Sequence, residues 1–129
     1  SAAELWPFAW AHGAARIAPD RLALALNPLE ARSQNQFHIH IVELLDDARA
    51  RLAGLAQQME LPGEPDGSGG RVLSGLEVLA AVKRLIPDET KNLQGVVVLR
   101  QPSGKFHIFV SREGESPEYA YTKADCPTR

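Results

Sequence analysis

The sequence predicts an α+β fold, an antiparallel sheet with flanking helices, on three observations. Short runs of alternating apolar residues stand beside longer segments of helical period. Two of those runs are joined by the turn signal Gln101-Pro102-Ser103-Gly104. The elements follow in the order helix, strand, strand, helix, helix, hairpin, which indicates an antiparallel sheet covered by helices. At 129 residues the chain reads as a single domain, 1–129, long enough to bury a core of its own.

The first element is a helix from about Pro7 to Arg16. Trp6, Trp10, Ala14 and Ile17 recur at helical spacing, and Pro7 suits a first turn, where its missing N–H goes unneeded. Ala18-Pro19-Asp20 breaks the pattern. From Arg21 to Asn27, Leu22, Leu24 and Leu26 alternate with Ala23 and Ala25, the pattern of a strand covered on both sides. Asn27-Pro28 closes it. After a polar loop, 30–34, the segment 35–42 reads as a second, buried strand. Phe37, Ile39 and Ile41 take one face of it, and Gln36, His38, His40 and Val42 the other.

Asp46 or Asp47 then caps a helix whose apolar stripe is Leu45, Ala48, Leu52, Leu55 and Met59. The stretch 61–71, rich in Gly and Pro, reads as a flexible linker within the domain. Ser74-Gly75-Leu76-Glu77 has the form of a capping box. Its helix runs to Ile86 with Leu76, Leu79, Val82 and Ile86 inward, and Pro87 stops it. Gly95 to Arg100 and Lys105 to Ser111 form the hairpin, and the polar end after Arg112 reads as loosely held.

The composition excludes several classes. Hydrophobic residues are 44% and charged residues 23%, ordinary for a soluble globular domain. A net charge of −2 is the wrong sign for non-specific nucleic-acid binding, so no nucleic-acid partner is expected. No apolar run is long enough to cross a bilayer. The one cysteine, Cys126, has no partner for an internal disulfide.

His38 and His40 carry the chemistry. Two residues apart in a strand, both imidazoles project from one face, about 6.5–7 Å apart along it. That arrangement suits a metal site, a proton relay, or a nucleophile with a helper. An imidazole nitrogen can attack phosphorus directly and form a phosphoramidate that water later cleaves. The ring needs a hydrogen bond on its other nitrogen, which a backbone carbonyl can supply. Ser33, Gln34, Asn35 and Gln36, just upstream, can donate to phosphate oxygens as charge develops. A metal would want a third ligand, but His12 and His107 lie on other elements, so neither metal nor cofactor is expected. His107 reads as a half-exposed packing residue and His12 as a surface residue. Two core histidines of a purely structural domain are the bland alternative.

The stretch from Asn27 to Ile41, and above all Arg32-Ser33-Gln34-Asn35-Gln36-Phe37-His38-Ile39-His40-Ile41, resembles the active-site segment of the histidine-triad superfamily. Within it the chain is most similar to bacterial CDP-diacylglycerol pyrophosphatases. The Trp-Pro-Phe-Ala-Trp opening, the Leu-Arg-Gln turn and the acidic residue before Cys126 fit the same pattern.

This resemblance implies a histidine-triad-like antiparallel sheet, of which the chain would be the C-terminal half. It implies His40 as nucleophile, His38 as its orienting or protonating neighbour, and Asn27, Ser33, Gln34, Asn35 and Gln36 as phosphate-binding or loop-positioning residues. Val42 stands where the family's third histidine belongs, a departure that bears on leaving-group protonation. The implied reaction cleaves the pyrophosphate of a nucleotide-lipid, CDP-diacylglycerol, to CMP and phosphatidate, and the implied location is the bacterial cell membrane, this segment itself being soluble. The implied partners are a missing N-terminal half, a partner subunit, or a second copy of the chain as a homodimer. The alternatives are a triad-type hydrolase or transferase acting on soluble nucleotides, and a catalytically inactive nucleotide-binding module.

Overall fold

The computed structural model describes residues 2–26, 39–61, 64–65, 71–90 and 93–123. In chain order these form α1 (Ala2–Ala14), β1 (Leu22–Leu26), β2 (His40–Glu43), α2 (Ala48–Ala53) and β3 (Gln58–Glu60). They continue with β4 (Glu64–Pro65), β5 (Arg71–Val72), α3 (Gly75–Leu85), β6 (Val96–Arg100), β7 (Phe106–Val110) and α4 (Pro117–Ala120). The fold is α+β, as the element order predicts.

One five-stranded sheet, in the order β2-β1-β6-β7-β3, has every neighbouring pair antiparallel. Its period-2 alternation divides the core in two. Leu24, Leu26, Val96, Val98, Ile108 and Val110 pack under Trp6 and Ala9 of α1 and Val78 and Ala81 of α3. On the opposite face, Ala23, Val97, Leu99 and Phe109 pack under Ala48 and Leu52 of α2 and Tyr121 beside α4. β1 is buried along its whole length, as a strand covered on both sides should be. The hairpin closes where expected, with Gly104 N–H donating to Gln101 O at 2.8 Å and Gly104 at φ 94°, a left-handed value that glycine adopts without strain.

Several elements differ from the sequence reading. Helix α1 begins five residues earlier than Pro7, so the proline sits inside it rather than in a first turn. Its inward residues are Trp6, Ala9 and Gly13, while Ala14 is exposed. The helix predicted to reach Met59 stops at Ala53, at the Gly54 cap, and Met59 belongs to β3. Met59 still reaches the core, but on the α1 and α3 side, which a helical stripe would not allow. Asp47 sits at the N-cap of α2 without making a side-chain cap bond; it is bridged instead by Arg51, one turn on. Asp46 is taken by Arg21 at 2.7 Å.

The capping box at α3 is present, with Glu77 N–H donating to Ser74 Oγ at 3.3 Å. Val82 and Ile86 pack on the core as predicted, but Leu76 is 70% exposed, and Val78 and Ala81 are buried in its place. Within the stretch read as a linker, β4 and β5 pair with each other as a small antiparallel ladder. Among the described residues no helix is long and apolar enough to cross a membrane.

Candidate active site

Of the seven residues singled out by the sequence, His40 lies among the described residues. His38, Asn27, Ser33, Gln34, Asn35 and Gln36 lie outside them. His40 opens β2, which forms an edge of the sheet among the described strands and is half-buried throughout rather than fully buried. The predicted alternation holds from residue 39 onward. Ile39 and Ile41 pack toward α1 and α3, and Val42 toward α2 and α4. His40 therefore shares the α4 side of the sheet. It pairs across the ladder with Ala25, which in turn pairs with Val97. Small and slender neighbours in that row leave room above the sheet for a side chain from another element.

That side chain is Glu118. Its Oε2 stands 3.3 Å from His40 Nδ1, and the residue is only 8% exposed. A carboxylate facing Nδ1 favours the tautomer with the proton on Nδ1. Nε2 then carries the ring's lone pair. The same carboxylate stabilises the ring when it acquires positive charge, the role the acid plays in serine-hydrolase triads.

Glu118 was not legible as a site residue, because the end of the chain reads as polar and loosely held. Residues 115–123 are instead firmly seated, and 124–129 lie outside the described residues. Leu44 bridges Thr122, Leu45 N–H donates to Tyr121 O at 3.0 Å, and Lys123 N–H donates to Glu43 O at 2.9 Å. On the other side Gln94 bridges Glu115. The buried Ser111 hydroxyl accepts from Gly95 N–H at 2.9 Å and donates to Glu115 O at 3.0 Å. Arg51 donates to Ala120 O at 2.8 Å with its guanidinium 4.9 Å from the Tyr121 ring centre. Residues 115–123 thus span from the start of β6 to the end of β2 and lay α4 across the His40 face. The available signal was Ser116-Pro117-Glu118, an N-cap residue type followed by proline at the first helical position.

The Tyr121 hydroxyl donates to Glu115 Oε1 at 2.7 Å, and burial, reinforced by that bond, pushes its pKa up to about 12. His107 is half-buried, as expected, stacked on Phe109 with ring centres 4.5 Å apart and its Nε2 3.0 Å from Gln58 Oε1. Burial lowers its pKa, against a weaker opposing pull from Glu60. His12 is exposed on α1 and hydrogen-bonded to Arg16.

A cleft of about 560 Å³ opens at the other end of β1 and β2. Its lining includes Arg21, Arg49 and Arg100 but not His40. Leu44, at its floor, is four residues along from His40, about 13 Å of extended chain.

A search of curated proteins found no match to this chain. A sequence model of the CDP-diacylglycerol pyrophosphatase family matches residues 4–62, from α1 through β3, so the part of the chain that carries His40 is similar to that family.

Proposed function

We propose that the chain is a phosphoric anhydride hydrolase that cleaves the pyrophosphate bond of CDP-diacylglycerol to CMP and phosphatidate, with His40 as nucleophile. The observation that carries this reading is the Glu118 carboxylate 3.3 Å from Nδ1 of His40, a histidine that lies in the stretch 4–62 similar to the pyrophosphatase family. In this scheme His40 Nε2 attacks the cytidylyl phosphorus. The P–N bond forms as the bridging P–O bond breaks, and the electron pair leaves with phosphatidate. Water then attacks the same phosphorus, the P–N bond breaks, and CMP departs with the water oxygen.

Glu118 holds the Nδ1 proton and offsets the positive charge of the phosphorylated ring. Its contact tightens as that charge develops, since catalytic hydrogen bonds are often long before substrate binds. Phosphatidate leaves as a phosphomonoester whose second pKa is about 6, so near neutral pH it needs little protonation. That lightens the demand on the position where Val42 replaces a third histidine. Positioning and electrostatics do most of the work in such phosphoryl chemistry. In the same scheme His38 orients or protonates neighbouring groups, and Asn27, Ser33, Gln34, Asn35 and Gln36 contact the phosphates or position the loops around them.

CMP release from CDP-diacylglycerol, wild type against His40→Ala with the fold checked by circular dichroism, tests the reading. Release that vanishes in the variant supports it. A wild type that releases no CMP sinks it, and turnover of soluble nucleotides instead would identify the triad-type alternative.

A further inference from the structure

The cleft at the far end of β1 and β2 carries more positive charge than its own acids neutralise. Arg21 is committed: it bridges Glu43 at 3.1 Å and Asp46 at 2.7 Å, and those bonds raise its pKa and lower that of Asp46. Arg49 and Arg100 are not. Among the described residues neither takes part in an ion pair.

Arg49, on α2, is held rigidly by neutral acceptors. Its Nε donates to Asp20 O at 3.0 Å, Nη1 to Gln101 Oε1 at 3.2 Å and Nη2 to Arg100 O at 2.9 Å. Three of its five N–H groups are used, and one remains on each terminal nitrogen. Burial lowers its pKa, the Asp20 charge opposing this only in part, and a guanidinium remains charged at neutral pH all the same. Arg100 donates Nε to Gly104 O at 3.1 Å, with its guanidinium carbon 5.8 Å from the Phe106 ring centre. Both its terminal nitrogens remain available. A fixed guanidinium and a second one beside the same cavity, over a floor made by Leu44 and Leu45, form a preorganised anion receptor.

We infer that this cleft binds a phosphate-bearing small molecule through Arg49 and Arg100, as a site separate from His40 and independent of the hydrolase reading. The shared chemistry is a phosphate group, which a soluble diphosphate or a lipid headgroup can supply.

The test uses the whole chain and two probes: inorganic pyrophosphate in solution, and phosphatidylcholine vesicles containing phosphatidate. Binding is followed by calorimetry and by the guanidinium Nε–H signals of Arg49 and Arg100. The expected result is that one probe binds, moves both signals, and binds at least about tenfold more weakly to Arg100→Gln, while His40→Ala binds as the wild type does. Which probe responds separates the soluble source from the lipid one. Because Arg49 also ties neighbouring loops together, its signal is read in the wild type rather than through a substitution. The inference is overturned if neither probe binds, if binding survives Arg100→Gln unchanged, or if it is lost in His40→Ala.

Discussion

Pro117 packs its ring directly on Gly95, so closely that a methyl group at Gly95 would stand 2.9 Å from both Cδ and Cγ and 2.2 Å from Leu26 O. The absence of a side chain at Gly95 is what lets α4 settle against the sheet at this height. Gly95→Ala forces α4 outward and carries Glu118 with it. The expected loss is about 1–3 kcal/mol of stability, the usual range for overpacking, together with reduced turnover. A chemical denaturation curve and a CMP-release assay on the same preparation check both parts.

Glu118→Gln keeps the shape of the side chain and removes its charge. If Glu118 orients His40 and stabilises its charged form, kcat falls by roughly 10²-fold or more while KM changes little. An unchanged kcat would remove Glu118 from the mechanism and leave it a packing residue.

Tyr121 gives a prediction at alkaline pH. Its folded pKa, pushed up to about 12, lies above the ordinary 10.0, so the neutral phenol is favoured in the folded state. Its contribution to stability is whole below pH 10 and is lost as pH rises through about 12. Ultraviolet titration of tyrosinate should show one late component that disappears in Tyr121→Phe.

His107 acts in the acid range. Burial holds its folded pKa below the ordinary 6.5, so below that pH the unfolded chain binds more protons and the fold loses stability as pH falls. Proton NMR of the imidazole should show a midpoint under 6.5. Glu60→Gln should lower it further, because the Glu60 charge opposes the burial effect.

At the start of α3, Ser74→Ala removes the hydroxyl that accepts from Glu77 N–H. A loss of about 1 kcal/mol in unfolding free energy is expected, with catalytic constants unchanged, since α3 lies on the face of the sheet away from His40.

Local chemistry made much of this fold legible. The Leu-Ala alternation of β1, the turn before Gly104 and the Ser74 capping box each depend on neighbouring residues, and each was readable. So was the side of β2 on which His40 lies, because a two-residue period leaves no other choice once Ile41 faces inward. What failed depended on tertiary contact. Met59 continued an apolar spacing that suits a helix, but pairing with β7 drew residues 58–60 into a strand. Leu76 was placed inward from apolar character alone, whereas the α1 contact turned Val78 and Ala81 toward the core. Glu118 was invisible because nothing in the polar run after Arg112 announces that Leu44 and Gln94, distant in sequence, join Ser111 in holding that run down.

The seat that these residues provide also sets an order of events during synthesis. His40 and its strand leave the ribosome long before Glu118, and a four-residue helix has no stability of its own until it docks. The contact between the two therefore forms late, after Gln94 and Gly95, just ahead of β6, and Ser111, just past β7, are in place. A nascent chain can complete its sheet and still lack the His40–Glu118 contact, so that contact reports the docking of α4 rather than formation of the core.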